Sequence, residues 1–156
     1  MKALARSLYY VAISPQTFVI IVVLFLVMAR PDWVMSLSGA ISDIHDAAKY
    51  VAFVPVAIFA WCWKNGQGIL FPPEDIRGII LEWPRFPELK ARVFIGLLFQ
   101  VLFAISSVIA WFMSPSLAHP YSMIVVAGAI VGGAIGAWSF YMAAIATREI
   151  TKRAGT

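Results

Sequence analysis

The side chains best suited to holding a metal are Asp43, His45 and Asp46, in the stretch SDIHDAAK over residues 42–49, and His119 farther along the chain. Imidazole and carboxylate are ordinary ligands of divalent ions. The spacing is poor, because Asp43 and His45 are two residues apart and do not share a helix face. The same residues read equally as a helix start at Ser42 with acids in its first turn and an Asp46–Lys49 pair. Haem between His45 and His119 is disfavoured as well, since both histidines fall at the rim of the apolar segments. The sequence therefore assigns no metal and no cofactor, and keeps Asp43, His45, Asp46 and His119 only as an external polar cluster. Cys62 is the single cysteine, which excludes an internal disulfide, a CxxC pair and a cysteine-based zinc site.

The other place where chemistry might sit is the polar stretch between Lys64 and Arg92. It interleaves four carboxylates with five bases, but no His, Ser, Thr or Cys occurs between Cys62 and Ser106. Catalysis here would need a nucleophile or a His positioned near these acids. None is present, so these charges read as solvated ion pairs and no catalytic residue is assigned.

Those residues sit in a chain whose composition fixes its class. It is 62% hydrophobic and 13% charged, where a soluble domain is nearer half and a quarter. Apolar segments at about 8–29, 47–63, 93–113 and 121–147 approach the roughly 20 helical residues that cross a hydrocarbon layer. In lipid the backbone must satisfy its own hydrogen bonds, and no strand alternation is visible, so the expected fold is all-α. It is a polytopic membrane protein with four transmembrane helices. The first segment reads as an uncleaved anchor, because its apolar run is long and VMARPDW offers no small-x-small cleavage site.

Charge placement gives the orientation. With four spans, Lys2, Arg6, Lys64, Arg77, Arg85, Lys90, Arg92, Arg148, Lys152 and Arg153 lie on one side, and only Arg30 and Lys49 on the other. That asymmetry makes both termini and the 64–92 segment cytoplasmic, with a bacterial inner membrane as the expected location. Trp33, Trp111 and Tyr121 then fall near the outer boundary, and Tyr9, Tyr10, Trp61, Trp63 and Trp138 near the inner one, where amphipathic rings settle.

Two connecting segments read as interfacial helices. In 64–92, Pro73 with Glu74 and Asp75 opens a helix, and Ile76, Ile79, Ile80 and Trp83 form one apolar face. Pro84 ends it, and Pro87 with Glu88 opens the next. That face suits either the lipid headgroup region or a docking partner. Externally, 31–46 places Trp33, Val34, Leu37, Ile41 and Ile44 on a similar stripe.

The span cores hold no Asp, Glu, Lys, Arg or His, the groups that coupled transporters use to bind their ion. They do hold Gln16, Gln100 and Ser139, each about eight residues, or roughly 12 Å, from the cytoplasmic end. A Gln16–Gln100 contact between the first and third spans is expected, or else a polar floor to a pocket. In the fourth span Gly128, Gly132 and Gly136 recur every four residues, with Gly133 among them, a face on which helix backbones can approach closely.

These features describe a single integral membrane domain that is not an enzyme. It associates with the lipid bilayer and with other membrane-protein subunits, and with no nucleic acid. The expected role is an accessory or assembly subunit of a larger complex, or an immunity-type protein. The alternatives are an oligomeric, holin-like pore or a lipid-binding or lipid-modifying protein.

Overall fold

A computed structural model describes residues 14–29, 50–72, 83–114 and 119–154, together with positions 32, 33, 36, 74, 77, 78 and 81. Among these residues every regular element is helical. The four long helices are α1 (Pro15–Ala29), α2 (Val54–Leu70), α3 (Phe86–Met113) and α4 (Pro120–Ala154). Each has a proline in its first turn: Pro15, Pro55, Pro87 and Pro120. Proline lacks an N–H and fixes φ near the helical value, so it is tolerated there and disruptive deeper in a helix.

That rule corrects two of the expected spans. The segment expected over 47–63 runs through Pro55, yet α2 begins at Val54, with a turn at Ala52 and Phe53 before it. The turn is tied to α3, where the Ser107 hydroxyl donates to the Ala52 carbonyl at 2.5 Å. At its other end α2 does not stop at Trp63 but continues through Lys64, Asn65 and Gly66 to Leu70. Ile69 and Leu70 are buried in one cluster with Cys62, Val93, Leu97 and Phe140, so tertiary burial extends the helix past a polar stretch. Likewise α1 starts at Pro15 rather than running through it, and residues 8–13 lie outside the described residues. The third and fourth helices outrun the expected 93–113 and 121–147 at one or both ends.

Among the described residues two helices, not four, are long and apolar enough to cross a membrane. They are α3, with mean hydropathy 2.4, and α4 over Pro120–Glu149, at 1.9. The 15 residues of α1 and 17 of α2 rise only about 22 and 26 Å, short of a hydrocarbon core of about 30 Å.

The helices form an up-down-up-down bundle. Gln16 and Val23 of α1 meet Gly136 and Gly128 of α4, so those two helices run antiparallel. On α3, Gly96 meets Phe140 and Phe103 meets Gly132, again antiparallel. On α2, Ile58 meets Gly133 and Gly66 meets Phe140, which is parallel to α4. The start of α1, the end of α2, the start of α3 and the later turns of α4 therefore share one end of the bundle. Helix α4 is central: it packs against the other three, α2 also packs against α3, and α1 packs substantially against α4 alone.

The core is mainly apolar, with Gln16, Gln100, Ser107 and Ser122 buried among residues such as Leu97, Phe103, Val126 and Phe140, and the outer surface is apolar as well. On α3, Phe94, Leu98, Leu102, Ile105, Ile109 and Phe112 form one helical face, and all six are exposed. On α1, Phe18, Phe25 and Met28 are exposed to 67%, 61% and 81%.

Candidate functional site

The small residues of α4 are where the bundle converges. A Cβ on Gly128 would collide with the Val23 side chain of α1, and one on Gly132 with the Phe103 ring of α3, 2.7 Å from its Cε2. At Gly133 it would meet Ile58 of α2 and Gln100 of α3 at 3.4–3.5 Å. Three glycines on one helix thus receive side chains from the three others. The reverse arrangement occurs one turn on, where Phe140 of α4 is received by Gly66 of α2 and Gly96 of α3; a Cβ there would stand 3.2 and 3.0 Å from the ring.

Gly136 is the tightest point. Its missing Cβ would overlap Gln100 Nε2 and lie 3.3 Å from Gln16 Nε2. Gln100 is fully buried, and its Nε2 donates to the Gly133 carbonyl at 3.0 Å. Its Oε1 is buried with no hydrogen-bond partner among the described residues. Gln16 is 4% exposed, and its Oε1 accepts from the Ser14 hydroxyl. Both amides thus reach one point on α4. Gln16 of α1 and Gln100 of α3, expected to contact each other, converge on Gly136 of α4, against which both their helices pack.

Ser139 does not join that buried junction. It is exposed, and its hydroxyl donates back to the Ile135 carbonyl at 3.1 Å. Three residues beyond Gly136 it is turned about 60° around the helix. It lines instead a groove of about 650 Å³ at the end of the bundle that holds the α1 and α3 starts. Ser14 and Gln16 of α1, Arg92 and Gly96 of α3, and Ser139 and Met142 of α4 are among its walls. The groove exists because α1 and α3 each pack on α4 but not substantially on each other.

The remaining candidates are dispersed. Asp43, His45 and Asp46 lie outside the described residues, as do Ile76, Ile79 and Ile80. His119 is exposed, with its ring 5.3 Å from that of Tyr121. Among the described residues no three His, Cys, Asp or Glu side chains cluster as metal ligands. Trp83 is half-buried and outside any helix, and its carbonyl accepts from Phe86 N–H at 3.0 Å at the start of α3. Glu74, Arg77, Gly78 and Leu81 before it are helical. Sequence reasoning missed Gly66, Gly96, Phe140 and Arg92. Neither glycine belongs to a four-residue glycine repeat in its helix, and only their shared contact with a distant Phe gives them meaning.

No family model matches the chain, and neither does any curated protein or solved structure.

Proposed function

We propose that this chain is a small, non-enzymatic integral membrane protein that works by lateral association, as an accessory or assembly subunit of a membrane complex or as an immunity-type protein. All four helices cross or enter the bilayer, and both termini face the cytoplasm of a bacterial inner membrane. The observation that carries this reading is the apolar exterior. The outward face of α3 is an unbroken apolar stripe, and Phe18, Phe25 and Met28 of α1 are exposed as well. Monomeric soluble proteins rarely expose so large a contiguous apolar surface, whereas lipid is a suitable solvent for it. The alternating directions of the helices support it too, since Lys64, Arg85, Lys90 and Arg92 all belong to the end where α2 finishes and α3 starts.

The pore reading asks for the glycine face at a boundary between subunits. Here Gly128, Gly132, Gly133 and Gly136 meet side chains of the same chain, which favours packing within one protomer. Association is then left to the apolar outer faces of α1 and α3.

Two measurements test the proposal. Single cysteines in a Cys62→Ser background should react with an impermeant thiol reagent on intact cells at Met113→Cys, and at Gly78→Cys only after permeabilisation. The opposite pattern inverts the topology, and full extraction of the protein by alkaline carbonate removes the membrane reading. Co-purification in mild detergent should recover a stoichiometric, different membrane protein; a lone homo-oligomer that conducts ions in vesicles would instead establish the pore.

A further inference from the structure

We infer that the groove between α1 and α3 binds the headgroup of an anionic phospholipid from the cytoplasmic leaflet, an inference that rests on the membrane reading above. The two helices flanking it are not packed together, so the groove lies in a gap between them, floored by α4. A lipid can enter such a gap from the bilayer without passing through water. Its volume, about 650 Å³, lies within the range of small-ligand sites and suits a headgroup with the first part of its chains.

Among the described residues the groove's one charged wall residue is Arg92, whose guanidinium carries the fork of N–H groups that fits phosphate oxygens. Gln16 is buried at the groove with its Oε1 taken by the Ser14 hydroxyl, and the Ser139 hydroxyl is bonded to the Ile135 carbonyl. Phosphate oxygens only accept, so the match rests on the guanidinium. Among the residues 85–92 that begin α3, Arg85, Lys90 and Arg92 outnumber the single carboxylate of Glu88, which favours a lipid of net negative charge. Val93, Phe140 and Met142 supply apolar wall for the methylenes that follow the headgroup. Trp138, 66% exposed beside the groove, is a side chain that settles at headgroup depth.

The test uses the full-length protein in mild detergent, titrated with phosphatidylglycerol or phosphatidylcholine and read by native mass spectrometry. Phosphatidylglycerol should bind in preference. Arg92→Gln should weaken it about fivefold, the effect of one cation near an anionic lipid. Lys64→Gln, which removes an exposed cation from α2 outside the groove, should change binding less than about twofold on the same scale. Ser139→Phe, at an exposed position on the groove wall, should block it while leaving the thermal unfolding of the protein unchanged. Millimolar inorganic phosphate should not compete; displacement by phosphate would show a free-anion site and overturn the lipid assignment. Equal losses in Arg92→Gln and Lys64→Gln would reduce the binding to general surface charge and overturn the site. A protein that remains with carbonate-washed membranes yet shows no lipid preference overturns this inference alone, whereas one that is monodisperse without detergent overturns the membrane reading as well.

Discussion

Two successive stretches of α4 behave oppositely. Over residues 128–136 the helix presents glycines, and Val23, Phe103, Ile58 and the two glutamine amides close onto it. Over residues 138–143 it presents Trp138, Phe140, Tyr141 and Met142, and there α1 and α3 leave a groove between them. One helix thus draws its neighbours in and, a turn later, lets them part. Side-chain size sets the separation of helix axes, because dispersion contact falls off steeply with distance. Phe140 shows that a large residue is compatible with close packing only where the partners are small, as Gly66 and Gly96 are.

Substitution at the closed stretch should break this contrast most severely. Gly136→Leu places a side chain where Gln100 Nε2 sits and beside the Gln16 amide. It should cost at least about 3 kcal/mol, more than ordinary overpacking, because buried amides lose their positions. Loss of monodisperse protein in mild detergent is the expected outcome. Phe140→Ala empties the Gly66–Gly96 cradle and should cost about 3 kcal/mol, measured by titration from mild detergent into sodium dodecyl sulfate. Gly132→Leu should cost about 1–3 kcal/mol on the same scale, since it meets the edge of the Phe103 ring, which can rotate. If Gly132→Leu proves costlier than Gly136→Leu, the glutamine junction is not the tightest point.

Smaller effects sharpen the comparison. Gln100→Leu removes one hydrogen bond to Gly133 and also the buried, unpartnered Oε1. These oppose each other, so a change within about 1 kcal/mol of zero is expected. Gly68→Ala, on the exposed side of α2 with nothing within 4 Å of a new Cβ, should stabilise by roughly 0.5–1 kcal/mol through helix propensity. A loss at Gly68 would reveal an unseen close approach there.

Much of the architecture was legible because its signals are local. Pro87 marked the start of α3, and the glycine repeat on α4 marked the face against which others pack. The same local rule, applied to Pro15 and Pro55, would have shifted the first two segments to their observed starts. The continuation of α2 to Leu70 was not legible, since Lys64-Asn65-Gly66 reads as an exit and only the burial of Ile69 and Leu70 against other helices holds the turn in place. Matching depth correctly singled out Gln16 and Gln100 but not their meeting place, because depth along a helix carries no information about which neighbour lies beside it.

By itself, then, the sequence determined an all-helical, strongly apolar chain with helix starts at its prolines and one helix built for close approach. Those properties follow from covalent geometry and from the free energy of placing each side chain in water or hydrocarbon. Only the tertiary structure decided that α4 is the centre, that the glutamine amides converge on Gly136, and that α1 and α3 stand apart to leave a groove bordered by Arg92. These depend on which side chains from distant parts of the chain compete for the same space, and volume exclusion between residues 29 to 120 positions apart along the chain leaves no periodic trace in the sequence.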